Sequence, residues 1–61
     1  MYIDIISNDG YKFTWNNVIS FEVVFDHNEK QLKIVWYNKE MVRMIDFVYF
    51  SDFKTFRIYM D

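Results

Sequence analysis

The 61-residue chain has no cysteine, no proline and no alanine, and it has one glycine, one histidine and one leucine. Each scarcity closes off a class of answer. Without cysteine there is neither a disulfide nor a thiolate metal site, although the redox compartment stays open. With a lone histidine, His27, no second imidazole or thiol completes a zinc site. The shortage of Ala and Leu leaves little helix propensity. No run approaches the roughly 20 apolar residues of a membrane span, and the opening MYIDIISND lacks the basic and apolar regions of a signal peptide. A protein that is soluble, makes no membrane contact and stays in the cytoplasm is expected. Seven Lys and Arg against nine Asp and Glu give a net charge of −2, which disfavours phosphate backbones and anionic lipid.

What is there in abundance is aromatic: seven Phe, five Tyr and two Trp. Together with Ile, Val and Thr they favour sheet. The chain is expected to be a single small β domain over 1–61. A domain of this length buries only about 60% of its unfolded surface. Such scaffolds lean on disulfides, a metal or oligomerisation. With the first two gone, a homo-oligomer is expected.

The clearest pattern runs from Ser20 to Tyr37. Phe21, Val23 and Phe25 alternate with Glu22, Val24 and Asp26, and Leu32, Ile34 and Trp36 alternate with Lys33, Val35 and Tyr37. A His27–Lys30 turn would set Phe25 against Leu32, Val23 against Ile34 and Phe21 against Trp36, and this hairpin is expected to be the centre of the core. Before it, Tyr2 to Ser7 and Tyr11 to Trp15 form a hairpin around Gly10. A two-residue Asp9-Gly10 turn scatters the apolar residues over both faces. A three-residue loop with a left-handed Gly10 pairs Ile5 with Phe13 and Ile3 with Trp15, and gathers them on one face. The bulged loop is therefore expected. Asn16-Asn17 makes a corner into the third strand, Val18 to Asp26.

Met41 to Phe50 is the fifth strand, with a flaw: Asp46 falls on the apolar parity of Val42, Met44, Val48 and Phe50. Either the strand bulges there or both of its faces are covered. Ser51 to Asp61 fits two forms. Tyr49, Phe53, Phe56 and Met60 have helical spacing, whereas Phe56, Ile58 and Met60 alternate as a strand, which propensity favours. A shift of 35 residues lays Phe13–Asp26 over Val48–Asp61, matching Phe21 to Phe56 and Asn16-Asn17 to Ser51-Asp52. The expected fold is all-β, about six antiparallel strands in a small barrel or sandwich, with a possible duplicated strand-strand-corner-strand unit. The alternative is α+β, with a short C-terminal helix on the sheet.

No catalytic constellation stands out. His27 lies in a turn beside Asp26, the serines have no base near them in sequence, and no phosphate, dinucleotide, calcium or zinc motif is present. No enzyme, no cofactor and no metal is the expectation. Lys12, Lys33, Arg43 and Arg57 would suit a small barrel binding single-stranded nucleic acid if they lined one face with Tyr37 or Tyr59. The acidic balance argues against this alternative. Protein binding fits better. The outer face of strands three to five carries Val24, Val35 and Ile45 where polar residues are expected, with Tyr37 beside them and Tyr59 joining if the repeat holds. These five residues are the candidate partner-binding set, unless the C-terminal segment or a second sheet covers them.

A small, acidic chain rich in Asn, Lys, Ile, Tyr and Phe, without Ala, Pro or Cys, resembles the accessory proteins encoded by phages and prophages of AT-rich bacteria. The resemblance lies in overall character and carries no functional residue across. It implies an inhibitor that binds and sterically blocks a bacterial host or defence protein, or else a phage structural subunit.

Overall fold

The computed structural model describes residues 1–60. The order is β1 (Tyr2–Ser7), β2 (Lys12–Trp15), β3 (Val18–Asp26), β4 (Glu29–Tyr37), β5 (Arg43–Tyr49), a 3-10 turn at Phe50–Asp52, and β6 (Phe53–Tyr59). The strands make two three-stranded antiparallel sheets, β2-β1-β6 and β3-β4-β5, packed on one core without closing into a barrel. The C-terminal segment is a strand rather than a helix: β6 lies against β1, pairing Ile58 with Ile3 and Phe56 with Ile5.

The first hairpin has the bulged turn. Gly10 sits at φ 89°, its N–H donates to the Ser7 carbonyl at 2.9 Å, and the Ser7 N–H donates to the Tyr11 carbonyl at 2.8 Å. That geometry sets Ile5 against Phe13 and Ile3 against Trp15. Only glycine adopts such a φ without penalty, which is why the chain spends its single glycine here.

The second hairpin differs from expectation by two residues. Val23 pairs with Leu32 and Phe21 with Ile34, while Phe25 faces Lys30. The cause is a tighter turn: His27 (φ 50°) and Asn28 (φ 64°) are both left-handed, so a two-residue type I′ turn joins Asp26 to Glu29. A slip of two keeps every side chain on its expected face, so the alternation is unchanged.

Only the β4 strand of that hairpin lies at the centre of the core. Ile3 and Ile5 of β1 and Leu32 and Ile34 of β4, the two middle strands, are its fully or almost fully buried residues, joined by Val18 and Phe53. Each such side chain contributes about 1.5–3 kcal/mol by leaving water. Phe21, Val23 and Phe25 point to the same side of their sheet as Leu32, yet are 39, 48 and 71% exposed. β3 is an edge strand, and beyond Val18, which is buried in the core, its inward side chains stand exposed.

Asp46 resolves without a bulge. The β4–β5 register is unbroken, and Asp46 faces the core opposite Ile34. Its Oδ2 accepts the indole N–H of Trp15 from one sheet at 2.8 Å and of Trp36 from the other at 2.9 Å. The acid on the apolar parity is therefore a polar tie between the two sheets.

The two halves of the chain share one topology. Each supplies a hairpin, β1–β2 or β4–β5, then a corner, then a third strand that joins the other half's sheet. Phe21 and Phe56, matched by the 35-residue shift, occupy equivalent places opposite Ile34 and Ile5. Asp61, which that shift lays over Asp26, lies outside the described residues.

Candidate protein-binding face

Residues directly opposite in a ladder share a face, so the register reads out the outer surface of the β3-β4-β5 sheet. Across it run Val24–Gln31–Tyr49, then Glu22–Lys33–Phe47, then Ser20–Val35–Ile45, with Tyr37 and Arg43 at one end. The outward row of β5 is apolar without interruption after Arg43: Ile45, Phe47 and Tyr49 are 41, 54 and 44% exposed. The other sheet packs on the opposite side, and β6 belongs to it, so neither of the elements expected to cover this face does so.

Val35 is 5% exposed although it lies outside the core cluster. As a short side chain on the middle strand, it is walled in by its neighbours on the outer face. Val24 is half-buried, and Tyr37 and Ile45 are exposed. These four residues lie together on one surface. Tyr59 does not join them: it is on the outer face of the other sheet, its ring stacked on Tyr2 at 4.5 Å between centroids. Phe47 and Tyr49 complete the face and are missing from the set read from sequence. Their signal was their shared parity with Ile45, obscured while the direction of Asp46 was open.

Charge on this face is sparse: Lys33 Nζ lies 3.5 Å from a Glu22 carboxylate oxygen, and Arg43 stands at one end. A shallow cavity of about 370 Å³ lies over Val24, Gln31, Lys33 and Phe47 at the end of the sheet nearest the β3–β4 turn. A second cavity, about 300 Å³, opens beside Trp15 and Trp36, the two rings anchored to Asp46.

The four cations proposed for a nucleic-acid groove are not on one face. Lys33 and Arg43 lie on this surface, whereas Lys12 and Arg57 lie on the outer side of the other sheet, where Arg57 is opposite Asp4. His27 is almost fully exposed at the turn, 3.5 Å from Asp26. Among the described residues, no three His, Cys, Asp or Glu side chains cluster as metal ligands, and no helix is long and apolar enough to cross a membrane. No protein-family model, no curated protein and no solved structure matches the chain.

Proposed function

We propose that the chain is a non-catalytic protein-binding module whose contact surface is the outer face of β3-β4-β5. One observation carries this reading: Ile45, Phe47 and Tyr49 stand exposed in successive outward positions, flanked by Tyr37 and Arg43. Contact surfaces between proteins are enriched in aromatic residues and Arg at their centres and poor in Lys, and this face holds a single lysine, which is paired with Glu22. The mode of action is steric, since binding here covers the target without chemistry. The resemblance to phage and prophage accessory proteins points to a bacterial host or defence protein as the target.

The test is quantitative capture from bacterial lysate with three proteins in parallel. The unaltered chain should retain one partner in stoichiometric amount. Phe47→Lys should lose it, with binding weakened at least tenfold, as expected for truncation or charging of an interface anchor. Lys12→Glu, on the opposite outer surface, should retain it. Tight binding to single-stranded DNA or RNA that falls steeply with salt would replace this reading with the nucleic-acid one.

A further inference from the structure

Four strands lie at sheet edges: β2, β6, β3 and β5. Three of them carry the features that normally keep a free edge from pairing with another chain. β2 is only four residues long, β5 points the charged Asp46 inward, and β6 carries Lys54 and Arg57. β3 has none of these three features, and its one irregularity, a register shift between Val18 and Ser20, lies outside the Phe21–Phe25 stretch. It is nine residues long, VISFEVVFD, without Lys, Arg or Pro, and its inward-facing Phe21, Val23 and Phe25 stand exposed at the open side of the sandwich.

The two-residue turn determines which backbone groups are unpaired. Asp26 and Glu29 close the hairpin as a hydrogen-bonded pair, so Val24, Glu22 and Ser20 direct their N–H and C=O groups at β4. Phe25, Val23 and Phe21 therefore direct theirs away from the sheet. The same three residues thus offer both an unpaired ladder and an uncovered apolar row.

We propose that β3 pairs antiparallel with β3 of a second copy of this chain, about a two-fold axis through Val23. The result is a continuous six-stranded sheet. Charge selects this register from its neighbours. An axis through Glu22 sets that carboxylate directly against its own equivalent. An axis through Val24 sets Glu22 against Asp26 of the partner subunit. Like charges directly opposite are destabilising. With the axis at Val23, Glu22 faces Val24 of the partner subunit, and Ser20 faces its Asp26. On the inner side, Phe21 meets Phe25 of the partner subunit and Val23 meets its equivalent, so the row is complementary to itself. Such a contact is isologous and closes at two copies. It also supplies the staple that a chain of this size otherwise lacks, having no disulfide and, among the described residues, no cluster of metal ligands.

Light scattering at tens of micromolar should give twice the 7.6 kDa chain mass. Val23→Pro should halve that mass while leaving the sheet intact, because the N–H it removes points away from β4. Val23→Lys is the second variant, placing a charge on the axis without altering the backbone. In the unaltered protein the amides of Phe21, Val23 and Phe25 should resist hydrogen exchange, and in the Val23→Lys variant the amides at these three positions should exchange freely. Since the chain has no cysteine, a mixture of Glu22→Cys and Val24→Cys proteins reports the register on oxidation. A mixed disulfide is expected in preference to either homodisulfide. A monomer from the unaltered chain overturns the proposal. So does a dimer that persists in both Val23 variants, or rapid exchange at Val23 within a dimer. Phe47 on β5 takes no part in the β3 contact, so Phe47→Lys and the Val23 variants test the two readings separately, and either can fail while the other stands.

Discussion

Asp46 shows how one residue type on an unexpected parity can carry structural information. Both indole bonds end on the same oxygen, Oδ2. Asp46→Asn keeps one carbonyl oxygen able to accept both, and loses only the charge. The expected cost is about 1 kcal/mol. Asp46→Ala leaves two half-buried donors with no acceptor, and about 2–4 kcal/mol is expected, moderated by water reaching them. Urea unfolding followed by tryptophan fluorescence measures both, since each Trp in the chain touches this carboxylate. Equal effects from Asn and Ala would mean that the bonds contribute little. The type I′ turn offers a test of opposite sign. His27 and Asn28 both occupy left-handed backbone, which side chains with a Cβ adopt at a cost. The double substitution His27→Asn with Asn28→Gly installs the Asn-Gly pair that this turn favours, and should stabilise the hairpin by about 0.5–1 kcal/mol. The readout is the shift in urea midpoint at constant slope.

At the scale of the element, alternation along a strand reports which side chains share a face and is silent on whether that strand is central or at an edge. That is why the faces of β3 and β4 were legible in the sequence, together with the bulged Gly10 turn and the strand form of the C-terminal segment. Placing the core on Phe21, Val23 and Phe25 failed because burial depends on which sheet lies opposite, and no local pattern encodes that. The two-residue slip has a different origin. Histidine is an uncommon occupant of a type I′ turn, so His27-Asn28 gave no strong turn signal. The candidate face was legible in Val24, Val35, Tyr37 and Ile45, whose parity is that of the outer surface. Tyr59 was misplaced because the repeat sends its third strand into the other sheet. Stability should follow centrality rather than hydrophobicity. Leu32→Ala, on the middle strand and fully buried, should cost about 2–5 kcal/mol. Phe25→Thr, at the exposed end of an edge strand, should change monomer stability by less than about 0.5 kcal/mol. Measured in the monomeric Val23→Pro background, comparable losses from the two would place Phe25 in the core after all.

For the whole molecule the controlling fact is that the halves exchange their third strands. β3 completes the second half's sheet, and β6 returns to pair with β1, with Tyr2 directly opposite Tyr59. The β1–β6 ladder therefore joins the most distant parts of the sequence, and its loop must be closed before its contacts form. The three hairpin pairings are local and can form first, leaving closure of this ladder as the rate-limiting step. A covalent link across it tests that order. Directly opposed antiparallel residues have Cα atoms about 4.5–5.5 Å apart, within the range a disulfide spans. Tyr2→Cys with Tyr59→Cys closes nearly the whole chain into one loop, a constraint of about 4 kcal/mol on the unfolded state in the chain-entropy account. It also removes the stacked tyrosine pair, a loss of about 0.5–1.5 kcal/mol. Both redox forms of the variant lack the stack, so the oxidised form should exceed its reduced form by about 4 kcal/mol and the unaltered protein by about 2–4 kcal/mol. Stopped-flow refolding should show the gain mainly as faster folding, with the unfolding rate little changed, because the constraint acts before the transition state. If the gain appears instead as slower unfolding, β1–β6 pairing is already broken in the transition state, and the two halves assemble by another route.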